Sequence, residues 1–558
     1  MRSLRNISTR KSASILLLFS LLMLFVGATT SDAHAAIKIS FNILDGSKIS
    51  NVASITAHVK SKTLIAQVEF FVDGQSRAVI TGIPYRFKWD TISDTEGKHT
   101  LKVVATDVDG DTAQASISVI IDNDLSIGAP ALAAKAVTAL KSGDAKAARN
   151  FARCALKADP NNIDGAAALA TIYAQAGNYQ MAANTLSGVK ELDSNSPAML
   201  QLSGYQLRLA LMPENADHAV DDVKSALALR RKAADNLVQQ IEAVPGTDPI
   251  KIGDALMSAG HPHKAISSYL PVVSGNNAPV SAINRLALAY VQTTQYYKAE
   301  NLLRTLQIQK LDNTETRTVF ALLLVREQKP KRALILIAND IPKNIPSVLV
   351  VASYANTLLD NKTEADKEAV AAENIFPQAG DAVFAHSLAA PDPRVSSEEA
   401  IKTLSLAPFY PAPYVDYGAR IALQSHTHRL VEALQFADIA LSLDPGSLSA
   451  QIMRGLLLTQ VGHSPDARQL LDQLYGSNEK YPDLLLAMSA YCVELKQSAL
   501  ASIYFSQAQK SAPSYFINLQ TPPDALQALE TLYRQLHYRP GFFLTISTLY
   551  PPTDTSNP

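Results

Sequence analysis

One small residue returning at a fixed interval constrains this chain more than any other feature. Ala265, Ala299 and Ala333 stand 34 residues apart, as do Ala433, Ala467 and Ala501, and again Ala148 and Ala182. Three runs at one period mark an array of like units, not a single compact core. Twelve positions ahead of these alanines stand Ala136, Ala170, Gly253, Ala287, Ala321, Ile421, Gly455 and Ser489, all small but Ile421. Larger residues flank them, such as Leu169, Leu286 and Phe320 one position before and Tyr173, Leu256, Tyr290, Leu324 and Leu458 three after. The pattern predicts helical hairpins: two small faces let the helices of a pair cross closely, and the large residues fill the space between pairs. Gly143, Gly177, Gly260 and Gly462 fall at the turn within a pair, and Pro160, Pro445 and Pro513 stop the second helix.

Composition supports this. At 558 residues the chain exceeds one core, and an aromatic share of 7% beside abundant alanine favours helix over sheet. Two cysteines, Cys154 and Cys492, rule out a disulfide framework or a four-thiolate metal cluster, and their distant positions predict two buried free thiols. A formal charge of −1 argues against a nucleic-acid binder.

The 34-residue period and the alanine–proline spacing resemble the tetratricopeptide repeat family over about 129–515. The resemblance implies a right-handed superhelix of about ten hairpins whose first helices line a concave groove for a protein or peptide ligand. Two stretches break phase: a long helix expected over 216–244, and a proline-rich stretch with Pro391, Pro393, Pro408, Pro411 and Pro413. The second reads as an irregular joint between two sub-arrays. An amphipathic helix over 524–538, with Leu526, Leu529, Leu532, Tyr533 and Leu536 on one side, reads as the cap covering the terminal core.

The N-terminus reads as an address. Arg2, Arg5, Arg10 and Lys11 precede an apolar run from Ile15 to Val26, followed by Ala33-His34-Ala35, the order of a cleavable signal peptide. The run is too short for a stable membrane anchor. Cleavage removes four bases and one acid, so a net charge of −1 becomes −4 in the mature chain. The expected location is extracytoplasmic: periplasmic, secreted or at the cell surface.

From Ile37 the texture alternates. Strands are expected over 37–43, 53–59, 64–72, 85–89, 99–107 and 113–121, with tight hairpins at Asp73-Gly74 and Asp109-Gly110. Val68-Glu69-Phe70-Phe71-Val72-Asp73-Gly74, Pro84-Tyr85-Arg86-Phe87-Lys88-Trp89-Asp90 and Gly97-Lys98-His99-Thr100-Leu101 resemble the bacterial immunoglobulin-like domains of secreted proteins, which implies a β-sandwich. Asp107, Asp109 and Asp111 lack the glycine and distal glutamate of a calcium loop and read as turn residues. Trp89 is weighed as core against a sugar-stacking platform.

Sets that carry catalysis are absent from the sequence: no His-Glu-x-x-His, phosphate loop, nucleophile elbow or dinucleotide fingerprint occurs. His261/His263 and His426/His428 are incomplete as metal sites and read as turn residues. Arg230-Arg231-Lys232 reads as a solvated face. The candidate groove residues are Asn284, Arg285, Arg317, Tyr417, Arg420 and Arg454, and the aromatic stretch from Phe409 to Tyr414 is weighed as a partner surface against packing between sub-arrays.

The expected order is a signal peptide (1–35), an immunoglobulin-like β-sandwich (36–123), a first repeat sub-array (124–379), a joint (380–413), a second sub-array (414–515), and a capping helix with its tail (516–558). This multidomain chain, a β-sandwich followed by an all-α superhelical solenoid, is expected to be a non-enzymatic scaffold without cofactor, binding protein and not nucleic acid in an envelope or secretion assembly. The alternative is an adhesin whose sandwich holds polysaccharide, with the repeats as spacer.

Overall fold

The computed structural model describes residues 37–190, 192, 197–211, 219–275, 277–424, 429–512, 516, 518–536 and 542–551. The expected signal peptide and the pair His426/His428 lie outside them. The chain divides into two compact units, 1–123 and 124–558.

In the first unit, β1 (Lys38–Phe41), β2 (Ser47–Ile49), β3 (Val52–Lys60), β4 (Ile65–Val72), β5 (Gln75–Ile80), β6 (Arg86–Asp90), β7 (Gly97–Asp107) and β8 (Thr112–Ile121) form two sheets. Their orders are β1-β3-β6 and β2-β8-β7-β4-β5. Alternation makes the core: Val68, Phe70 and Val72 of β4 and Leu101, Val103 and Ala105 of β7 are buried with Phe87 and Trp89 of β6. Trp89 is 1% exposed and its Nε1 donates to Asp94 at 2.6 Å, so the indole is core and offers no stacking face. Asp73 and Gly74 take the positive φ values, 49° and 82°, that the β4–β5 turn requires. The Asp107 carboxylate accepts from the Thr63 hydroxyl and from the N–H groups of Asp109 and Asp111, which occupies it in its own turn. β2 and β5 were not anticipated: one is three residues long, and the other is an edge strand too polar to show alternation.

Among the described residues of the second unit twenty-two helices pair into hairpins. They are α1 (Ala129–Lys141) with α2 (Ala145–Ala158), α3 (Ile163–Gln175) with α4 (Tyr179–Ser187), α5 (Pro197–Ala210) with α6 (Ala219–Ala243), and α7 (Pro249–Ser258) with α8 (Pro262–Val273). Next come α9 (Val280–Gln292) with α10 (Tyr296–Ile308), α11 (Thr314–Arg326) with α12 (Pro330–Ile337), and α13 (Pro346–Leu358) with α14 (Lys362–Ile375). The last four pairs are α15 (Gly380–Ala389) with α16 (Pro393–Leu406), α17 (Pro411–Gln424) with α18 (Leu430–Leu443), α19 (Leu448–Gln460) with α20 (Ser464–Asn478), and α21 (Pro482–Glu494) with α22 (Ser498–Ser511). Each recurring alanine in a second helix is fully buried, from Ala148 to Ala501.

The expected joint at 380–413 is corrected by the structure. Residues 380–406 form the hairpin α15–α16, and the crossing position runs on through Ala365 and Ala400, both buried. Steps of 32, 35 and 33 residues replace 34 there, so the two expected sub-arrays are one array. The prolines lie at helix starts: Pro393 and Pro411 open α16 and α17, where a missing N–H costs nothing. Ser353 and Ser489, at the small position of a first helix, donate to the carbonyls of Ala365 and Ala501 at 2.8 and 2.9 Å and so use the close approach.

The array also touches itself across a turn. α16 packs on α5, and α18 on α6. Arg230 and Arg231, expected on a solvated face, are committed here: Arg230 donates to the Leu200 carbonyl, and Arg231 donates to the Ala259 carbonyl and lies 4.4 Å from the Phe409 ring. Within the aromatic stretch Phe409 and Tyr414 are thus packing between turns, both buried. Cys154 and Cys492 are both buried.

Two substitutions test the packing in opposite directions. A methyl at Gly253 meets the Tyr269 ring at 2.2 Å, and that ring is pinned by its hydroxyl to Asp254 at 2.7 Å. Gly253→Ala is expected to cost about 1–3 kcal/mol in urea unfolding. At Thr294 the turn places an exposed β-branched residue at φ 58°, where four other repeats have glycine. Thr294→Gly is expected to stabilise by about 0.5–1 kcal/mol, net of the entropy that glycine loses.

Candidate functional site

The odd-numbered helices from α1 to α21 open the hairpins and pack on one another in series, α1 on α3 and α3 on α5, then α7 on α9, α9 on α11, α11 on α13 and α13 on α15, then α17 on α19 and α19 on α21. The face these first helices share is the inner face. The chain's own C-terminal region lies on it. α23 (Ala525–Leu536) packs on α17, α19 and α21, with Ala525, Ala528, Leu529 and Leu532 buried. It was expected to cap the last hairpin and instead lies along three of them, because the apolar stripe of first helices is longer than any one hairpin end.

Residues 542–551 continue along the same face beside α7, α9, α11, α13 and α15, with α24 (Ile546–Leu549) on α7 and α13. The Phe542 ring packs on Tyr354 with centroids 4.6 Å apart. The Phe543 ring stacks between Tyr410 at 4.1 Å and Phe384 at 5.4 Å. Phe542, Phe543, Leu544, Ile546 and Leu549 are all buried. Side chains of the array also bind the main chain: Arg326 Nη1 donates to the Phe542 carbonyl and Gln292 Nε2 to that of Leu544, both at 2.9 Å. The Thr545 N–H donates to Asp381 Oδ2 at 2.7 Å and the Thr548 hydroxyl to Asp381 Oδ1 at 2.6 Å. At the far end the Arg285 guanidinium lies 3.6 Å from the Tyr550 ring centroid, and the Tyr550 hydroxyl donates to the Ser281 carbonyl.

Asp381 is the electrostatic centre of this arrangement. Burial pushes its carboxyl up to about 6, against the opposing hydrogen bonds from Thr548 and Thr545. Tyr354, whose hydroxyl donates to the Asp381 carbonyl, is pushed well above its usual range by burial.

The six expected groove residues are mostly engaged within the array. Asn284 is buried, accepting from Thr316 Oγ1 at 2.9 Å and donating to Asn313. Arg317 of α11 joins Asp312, in the turn before α11, to Asp340, in the turn after α12, and hydrogen bonds from Arg317 hold Asp340 far below the carboxylate range. Tyr417 is buried edge-on against Phe436. Arg420 is buried between Asp416, the Ser396 hydroxyl and the Ser387 carbonyl, with the Tyr533 ring of α23 5.8 Å away. Arg454 pairs with Asp438. Asn284 and Arg285 both reach 542–551 at Tyr550, by a side-chain hydrogen bond and by the guanidinium over the ring, while the Arg285 Nε pairs with Asp254. Asn284 and Arg420 are buried beside the C-terminal region, next to Tyr550 and Tyr533, whereas Tyr417 is buried within its own hairpin against Phe436 of α18. Sequence reading missed Tyr354, Asp381, Phe384, Gln292 and Arg326. The available signal was Phe542-Phe543-Leu544, an apolar triplet beyond the last repeat.

A second polar cluster joins Glu373, His386 and Glu399, close enough for three metal-ligand atoms. Lys402 stands among them, hydrogen-bonded to Glu373 and 3.4 Å from Glu399 Oε2, so an ammonium holds the cation position. Burial would raise the Glu373 carboxyl, but hydrogen bonds from His386 and Lys402 outweigh it and hold it at about 2. His261 pairs with Asp235 at 2.6 Å.

A protein-interaction scaffold of helical hairpins behind a β-sandwich is the class this architecture defines. Residues 28–103 match the family model of the bacterial Ig domain, and residues 139–204 match that of the tetratricopeptide repeat. The chain carries both. No curated protein matches it. Among solved structures it is similar to the fibronectin(III)-like modules of Clostridium thermocellum CbhA, at 27% identity over 15% of this chain and 94% of that one, with a TM-score of 0.14. It is also similar to the APC/C hetero-tetramer Cut9-Hcn1, at 13% identity over 76% of this chain and 96% of that one, with a TM-score of 0.38. Among the described residues no helix is long and apolar enough to cross a membrane.

The buried carboxyl sets a pH dependence. Asp381 has its value raised from 3.8 to about 6, so the folded chain holds a proton there that the unfolded chain releases. The linked stability is fully present below about 3.8 and is lost as pH rises through about 6. Measured against Asp381→Asn, wild-type stability is expected to fall by about 1 kcal/mol between pH 5 and pH 7. A pH-independent difference would place Asp381 in contact with water.

Proposed function

We propose that this protein is an extracytoplasmic, non-catalytic scaffold that binds a protein partner through the inner face of its first helices and organises an envelope or secretion assembly. The observation that supports the reading is the occupied inner face: it holds an extended polypeptide by its main chain through Arg326, Gln292 and Asp381, and by aromatic slots. Helical-repeat surfaces bind extended segments in this manner. Export is inferred from the basic, apolar and small-residue order of residues 1–35.

Two measurements test it. Residues 1–36 fused to alkaline phosphatase, an enzyme active only after export, are expected to give activity that Leu21→Arg abolishes; activity confined to the cytoplasmic fraction counts against the location. Affinity capture from envelope extract is expected to retain a protein in stoichiometric amount, with no ligand on a glycan array. The reverse pattern would favour the adhesin.

A further inference from the structure

Residues 542–551 differ from the repeat core in how they are held. In a repeat array each unit buries its apolar face on its sequence neighbours. The hydrogen-bond and ring partners that the array gives 542–551 are instead 133 to 269 positions away, from Tyr410 to Ser281. The carbonyls of Phe542 and Leu544 and the N–H of Thr545 are met by side chains of three first helices, α11, α9 and α15, and α13 adds the Tyr354 ring. Main-chain recognition of that kind tolerates exchange of the occupant's side chains, whereas the slot between Tyr410 and Phe384 demands a flat ring.

We propose that the inner face of α7 to α15 is a receptor for a segment of another protein that runs extended through two adjacent aromatic residues and an aliphatic residue and then turns into a short helix at hydroxyl residues, and that 542–550 occupies it in cis as a built-in competitor. This rests on the scaffold reading above and adds the partner's chemistry and its regulation. The aromatic pair fills the slots of Tyr354 and of Tyr410 with Phe384. The following N–H and hydroxyl meet Asp381, as those of Thr545 and Thr548 do now. A tethered competitor acts at an effective concentration on the order of 1 mM. Against a segment whose intrinsic affinity is about 10 µM, that suppresses binding in trans about 100-fold. The partner gains access when an event elsewhere draws the C-terminal segment away.

The test uses the full chain with a specific protease site placed within 537–541, so that the protein folds before it is cut. The probe is a fluorescent peptide with the sequence of residues 540–551, and its Phe543→Ala form is the control. The expected result is binding to the cut chain about 100-fold tighter than to the uncut chain, lost with the control peptide. Unfolding on cleavage, or a cut segment that no peptide displaces, would make 542–551 part of the core and overturn the proposal. Equal binding to both forms would also overturn it. Concentration-dependent dimers of the uncut chain that vanish with Phe543→Ala would make a second copy the occupant and overturn the assignment to another protein. Stoichiometric capture of a partner by cut and uncut chain alike removes the competitor and leaves the scaffold reading standing; peptide exchange with no partner captured by either form removes the scaffold reading alone.

Discussion

The close crossing of two helices at a pair of small side chains is the contact on which the array depends. At every hairpin where an alanine recurs in the second helix, that alanine is fully buried against the first helix. Where the facing residue is glycine, as at Gly253 and Gly455, the space of its missing methyl is taken by Tyr269 or Leu471. The large side chains displaced from the crossing are free to fill the gaps between hairpins, and this joins Leu207 through Leu549 into one apolar cluster. Without the close approach, neither the continuous inner face nor the contact between successive turns would exist.

The crossing was legible because it imposes a period on the sequence, and the β-sandwich was legible because burial on one face imposes alternation. What failed to show was any contact whose partners are far apart or out of phase. Residues 380–413 looked irregular because the repeat slips to 32 and then 35 residues and because five prolines cluster there. In the structure two of these prolines are the first residues of α16 and α17, so they start helices. The closure of α16 on α5 is carried by residues some two hundred positions apart and leaves no pattern along the chain.

Polar residues misled for a related reason. Arg285, Arg317, Arg420 and Arg454 look like unclaimed side chains of first helices, yet each has an acidic partner: Asp254, Asp340, Asp416 and Asp438. Three of these partners lie 16 to 31 residues away, about one helix or one repeat, so proximity arises only when hairpins stack. Arg420 and Asp416 are on one helix turn and both buried, where losing either partner would strand a charge. The side chains that meet the C-terminal segment are mixed, with Tyr354, Phe384 and Tyr410 supplying rings and Gln292, Arg326 and Asp381 supplying hydrogen bonds.

A face that binds polypeptide through aromatic slots has to be covered when no partner is present. Tyr354, Phe384 and Tyr410 would otherwise leave a continuous apolar strip exposed to water, which soluble chains avoid and which invites aggregation. Covering it with 542–551 solves this at low entropic cost, because the segment is already tethered through α23, itself packed on the same face. The same arrangement explains how the Asp381 carboxyl can be buried. Asp381 receives an N–H and a hydroxyl from the occupant and an N–H from Ala382, the coordination that compensates a desolvated carboxyl most directly. Two of those three donors leave with the occupant, and water replaces them as the site opens. The carboxyl is thereby satisfied in both states, which a residue serving the core alone would not need.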